Sequence, residues 1–230
     1  MSGVRGVSRN QLLIGLVCVA VLAVAVAAYF MLTGASSGDA GAVPQANERF
    51  GVQVTDYDRT QGSAKAPIVM LEYAAPSCPH CAHFDMEFFP QLKQQYIDTG
   101  KVYYIFRVYP LNAADVAAES IARCLPADNY FPFIDLLFRN QVKWDPEYGV
   151  TDVRAGLVGM SRIVGLSEAQ VDSCISNQAA AAKVSQVGQE AATKYAISST
   201  PTFIVNTQIH GPFQDWAEVK AFLDPMLAKK

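Results

Sequence analysis

What is scarce in these 230 residues narrows the reading. Charged residues make up only 17%, and histidines number three. Eighteen Lys and Arg against 21 Asp and Glu give a net charge of -3, with no basic footprint of the kind nucleic acid demands. No internal repeat is present. Cysteine is sparse too: there are five, and only Cys78 and Cys81 lie close together. A four-cysteine zinc site wants a second close pair, whereas Cys124 and Cys174 are far apart, so metal binding is disfavoured. Residues 12–32 lack both charge and proline, and no acid occurs before Asp39.

That last absence has a direct meaning. The run 12–32 matches the roughly 20 residues a helix needs to cross a bilayer. Arg5 and Arg9 precede it, so the positive-inside rule puts residues 1–11 in the cytoplasm and everything after the run outside. The reading is a transmembrane signal anchor that leaves the chain single-pass in the inner membrane. A cleaved signal peptide, whose apolar region is about 7–15 residues, is the alternative, with secretion to the periplasm. Cys18 reads as a lipid-facing side chain. Residues 33–49 are small, polar and glycine-containing, a flexible linker. At 51% hydrophobic residues, the remainder has enough apolar side chains for a substantial core.

Within that remainder the elements follow a pattern. Pro67-Ile-Val-Met-Leu-Glu-Tyr-Ala74 is a nearly unbroken apolar run that suits a central strand covered on both faces. Pro76-Ser-Cys-Pro-His-Cys81 follows at once. Phe84, Phe88, Leu92 and Tyr96 then recur near helical spacing until Thr99-Gly100. Pro79 falls in the first turn, where its missing N–H costs nothing. Lys101 to Tyr109 is a second strand-forming run. Residues 112–195 read as helical throughout, with Ser167 and Gln170 at capping-box spacing. Strand signal returns at Thr202–Val205 and Gln208–His210, and a last amphipathic helix follows Asp215.

Cys78 therefore lies where a strand ends and a helix begins. A thiol attacks only as thiolate, and a helix start stabilises that anion through its unpaired N–H groups. His80 adds a positive charge or a hydrogen-bond donor. A static disulfide at this spacing staples almost nothing, because the closed loop is tiny. Glu72 lies six residues before Cys78 inside the apolar strand, either buried or turned to solvent at the strand end. Ser199-Thr200-Pro201-Thr202-Phe203 puts a Thr-Pro step just before a strand, which by itself fits an ordinary trans turn.

Taken together, Glu72-Tyr-Ala-Ala-Pro-Ser-Cys-Pro-His-Cys81 and the later Ser199-Thr-Pro-Thr-Phe203 resemble the thioredoxin superfamily, in its DsbA-like branch of thiol–disulfide oxidoreductases. The resemblance covers roughly residues 50–230. It implies an α/β thioredoxin fold formed by residues 50–110 and 196–230, with residues 111–195 as an inserted helical domain. It implies further that Pro201 is cis and lies against the Cys78–Cys81 pair, and that the Thr200 backbone pairs with an extended substrate segment. Cys78 would be the exposed sulfur that exchanges with substrate, Cys81 the buried resolving one, and Glu72 the buried acid serving it.

Cys124 and Cys174 both fall on apolar helical faces. Outside the cytoplasm such a pair usually bonds, while two separate buried thiols are the alternative. The expected activity is oxidation of reduced extracytoplasmic proteins through the Cys78-Pro79-His80-Cys81 pair, without a metal or organic cofactor. The resemblance implies a quinone-linked membrane protein as the reoxidising partner. A disulfide isomerase or reductase, or a peptide-binding chaperone, are the competing functions.

Overall fold

The computed structural model describes residues 51–228, all within one compact unit. The expected cytoplasmic segment, the anchor over 12–32 and the linker over 33–49 lie outside the described residues, and the domain start at 50 falls one residue before them. Among the described residues no helix is long and apolar enough to cross a membrane.

Five strands form one mixed sheet in the order β1-β3-β2-β4-β5. They are β1 (Arg59–Gln61), β2 (Ile68–Ala74), β3 (Val102–Val108), β4 (Thr202–Val205) and β5 (Gln208–His210). β2 runs parallel to β3, with Ile68 opposite Val102, and antiparallel to β4, with Glu72 opposite Phe203. β2 is the middle strand, and all seven of its residues are buried, as an unbroken apolar run requires. Its side chains alternate between two cores. Ile68, Met70 and Ala74 face the core that holds Cys78 and Cys81, and Val69, Leu71 and Tyr73 face a second core with Val187, Ala191 and Ile204. Glu72 shares the parity of Met70, so alternation alone sends its carboxyl to the cysteine side.

The helix after Cys78 is not a uniform α-helix. α1 (Pro79–His83) passes through a π-helical stretch (Phe84–Phe88), then α2 (Phe89–Leu92), then a second π-helical stretch (Lys93–Ile97). Pro90 in α2 has no N–H to give the preceding turn, one physical reason for a wider turn there.

Between β3 and β4 lie α3 (Ala113–Cys124), α4 (Ala127–Arg139), α5 (Val153–Ile163), α6 (Glu168–Ile175) and α7 (Gln178–Tyr195), with short 3-10 turns at Gln141–Lys143 and Pro146–Tyr148. The Ser167–Gln170 capping box forms at the start of α6. α8 (Trp216–Ala228) closes the chain, with Asp215 Oδ1 accepting from Glu218 N at 2.8 Å. The sequence reading missed β1. It is three partly buried residues, Arg59-Thr-Gln61, on the sheet edge beside β3, too short and too polar to show a period.

Candidate active site

Cys78 is the residue before the first helical turn, with extended backbone (φ -74°, ψ 121°), and its Sγ accepts from Cys81 N at 3.4 Å. Pro79 and His80 point outward and are exposed. Cys78 and Cys81 are both thiols in this structure. The two sulfurs have opposite leanings. The Cys78 thiol is pulled down from about 9.0 to about 6, first by its hydrogen bond with the Cys81 side chain, against burial, with help from Thr200 and from the backbone N–H groups of Cys81 and His80. Burial pushes Cys81 well above the ordinary thiol value, and the neighbouring Cys78 and Glu72 push it further. His80 contributes its backbone N–H to this lowering.

Cys78 departs from the expectation of an exposed sulfur: the residue is only 4% exposed. The cover comes from the segment carrying Pro201. The Thr200–Pro201 peptide is cis, both residues are buried, and Cys78 Sγ donates to Thr200 O at 3.3 Å. The Thr200 hydroxyl is buried without a hydrogen-bond partner of its own.

Glu72 is 2% exposed and accepts from Tyr104 Oη at 2.6 Å. Burial raises its carboxyl to about 8, against the Tyr104 hydrogen bond and with the charges of Asp85 and Cys78. At neutral pH it therefore holds a proton beside a sulfur whose thiolate is costly. Asp85, one turn after Cys81, is raised as well, by burial and by the Asp135 carboxyl. It lies with Asp135 along a surface cavity of about 700 Å³.

Three contributors escaped the sequence reading. Asp115 on α3 is fully buried and accepts from Ser77 N (2.8 Å), Ser77 Oγ (3.0 Å) and Leu111 N (2.9 Å). Asn112 and Asp115 stand at capping-box spacing, so their helix start was legible, but not the hold on Ser77. Gln141 donates to Pro76 O and Cys78 O, and Tyr104 binds Glu72; nothing in the local pattern of either singles it out. Cys124 and Cys174 are brought together, Sγ to Sγ 2.10 Å, joining the end of α3 to α6. Among the described residues no group of three or more His, Cys, Asp or Glu could hold a metal.

A strand–thiol–helix corner, a cis-proline beside it and a buried acid close by make up the candidate site. The family model described as Thioredoxin matches residues 54–225. The chain belongs to this family, and it is similar to DsbA-like thiol–disulfide oxidoreductases. A Rickettsia conorii protein named as a protein-disulfide oxidoreductase is 31% identical over 155 residues, 67% of this chain and 55% of that one. The chain thus spans about half the length of such rickettsial relatives. A Bacillus cereus protein named as disulfide bond formation protein D is 27% identical over 173 residues, covering 73% and 78%. The crystal structure of Wolbachia pipientis alpha-DsbA1 matches with a TM-score of 0.70 at 28% identity, covering 76% of this chain and 94% of that one.

Proposed function

We propose that the protein oxidises thiols of extracytoplasmic proteins by passing on its Cys78–Cys81 disulfide. The observation that carries this reading is the opposed leaning of the two sulfurs: a comfortable thiolate at Cys78 and an uncomfortable one at Cys81. A substrate thiolate attacks Cys78 Sγ, forming a mixed disulfide and breaking the Cys78–Cys81 bond. Cys81 leaves as thiolate and takes a proton from neutral Glu72. A second substrate thiolate then attacks the substrate sulfur of the mixed disulfide and expels the Cys78 thiolate. The substrate gains a disulfide, and the enzyme takes up two electrons and stays reduced. A stabilised Cys78 thiolate makes that reduced state favourable, which is the mark of an oxidant.

In this reading Thr200, beside Pro201, offers its backbone to the substrate chain, and Cys124–Cys174 is a structural bridge. Residues 50–110 and 196–230 form the redox domain and residues 111–195 the helical insert. Residues 12–32 anchor the chain in the inner membrane and the linker over 33–49 leads to a periplasmic catalytic domain. Reoxidation falls to a quinone-linked membrane partner, and the relatives named for disulfide formation support an oxidising role. The test is the equilibrium of the Cys78–Cys81 pair with glutathione. A pair as reducing as a structural disulfide would overturn the oxidase reading.

A further inference from the structure

Gln141 opens the 3-10 turn after α4, far in sequence from the redox pair, and is 6% exposed. Its Nε2 donates to Pro76 O at 2.9 Å and to Cys78 O at 3.1 Å. Its Oε1 accepts from Tyr148 Oη at 3.3 Å, which fixes which way the carboxamide faces. Asp115 grips Ser77, between those two carbonyls, from α3. The helical insert thus holds three consecutive residues, Pro76 to Cys78, with two buried side chains.

The Cys78 carbonyl is where this grip meets the chemistry. It already accepts from Ala82 N at 3.0 Å, while the Sγ of the same residue faces Cys81 N. A donor on that carbonyl pins the Cys78 peptide plane and so the direction of its Cα–Cβ bond. Nε2 is also the positive end of the carboxamide dipole, and it lies on the cysteine whose sulfur carries charge. Both effects favour negative charge on Sγ.

We propose that Gln141 is a positioning residue of the redox site, which fixes the Cys78 peptide so that the sulfur faces the N–H groups that stabilise its thiolate. The proposal rests on Cys78 being the exchanging thiol. A purely structural Gln141 would only satisfy two buried carbonyls, and losing it would lower stability and nothing else.

The test uses the full chain, reduced, with two measurements: titration of the Cys78 thiolate by its absorbance and the equilibrium of the pair with glutathione. Gln141→Met keeps length and volume and removes the donors. Its Cys78 titration should move up by about half a unit, with a fall in oxidising equilibrium of about threefold. Gln141→Glu sets an acceptor in place of the donor and should move both further. Tyr148→Phe, at the half-exposed end of the network, should give a smaller shift in the same direction. Ser161→Ala serves as control, because this buried hydroxyl in the insert bonds to Leu157 O in its own helix. It should lower stability and leave both readings unchanged. Wild-type titration and equilibrium in Gln141→Met would overturn the proposal, as would wild-type values in Tyr148→Phe should Gln141→Met fail to fold. A wild-type pair that shows no low-lying thiolate and no exchange with glutathione would instead overturn the functional reading.

Discussion

Two cysteine pairs in one chain lie in opposite surroundings. Cys78 and Cys81 are separated by two residues across a strand–helix corner, where N–H groups converge on one sulfur and burial isolates the other. Cys124 and Cys174 are 50 residues apart and bridge two helices whose neighbouring faces are apolar. The first pair closes almost no loop, so its disulfide adds little to stability and is free to break. The second closes a long loop and has no thiolate-stabilising corner. Reactivity here is a property of the backbone around the sulfur, not of the residue.

The contrast can be broken most completely at Cys78. Cys78→Ser should abolish disulfide transfer to a reduced substrate protein, while Cys124→Ser with Cys174→Ser should keep it. Transfer by Cys78→Ser at the wild-type rate would end the functional reading.

The next effect is on stability. Losing the Cys124–Cys174 bridge should cost on the order of 4 kcal/mol in the chain-entropy picture for a loop of this length, measured by urea unfolding without reductant. The Cys78 titration should stay where it is. A shift there would mean that the two pairs are coupled through α3.

Glu72 sharpens the comparison through pH. Its carboxyl rises from 4.5 to about 8 on folding, so the folded state holds the proton more tightly and loses stability as pH climbs through that window. Glu72→Gln should remove this slope and be the more stable protein above pH 8. It should also slow the release of Cys81 from the disulfide, by up to about a hundredfold, in stopped-flow mixing with a substrate thiol. Cys78 has the opposite sign. Its folded value lies below the ordinary one, so its contribution to the reduced protein is present above pH 9 and lost as pH falls through about 6. Unfolding of reduced against oxidised protein across pH 5 to 9 checks both signs, because the oxidised form lacks the Cys78 contribution.

The smallest expected change is at His80. His80 lends Cys78 its backbone N–H, which alanine keeps, so His80→Ala should move the thiolate titration by less than about half a unit. A shift of two units would restore the imidazole to a central role.

Much of the site could be read directly. An unbroken apolar run fixed β2 as the central strand, and the residues that follow it fixed Cys78 as the one before the helix. Alternation along β2 also placed Glu72 on the cysteine face once Met70 was known to be there. The resemblance placed Pro201 against the pair, but the near-complete burial of Cys78 beneath that segment was not legible. It depends on a loop more than a hundred residues later folding back beside the corner, which no local pattern encodes.

By itself the sequence determined the elements, their order and the chemistry available at the corner, because hydrophobic period, capping residues and the Cys-Pro-His-Cys spacing act over a few neighbours. Tertiary structure alone decided which distant groups tune that chemistry. Tyr104 reaches Glu72, Thr200 reaches Cys78, and Asp115 and Gln141 grip the segment between strand and helix. These are hydrogen bonds across 32 to 122 residues. Each forms only after the apolar faces have packed, since burial is what makes an unpaired polar group costly enough to choose one partner.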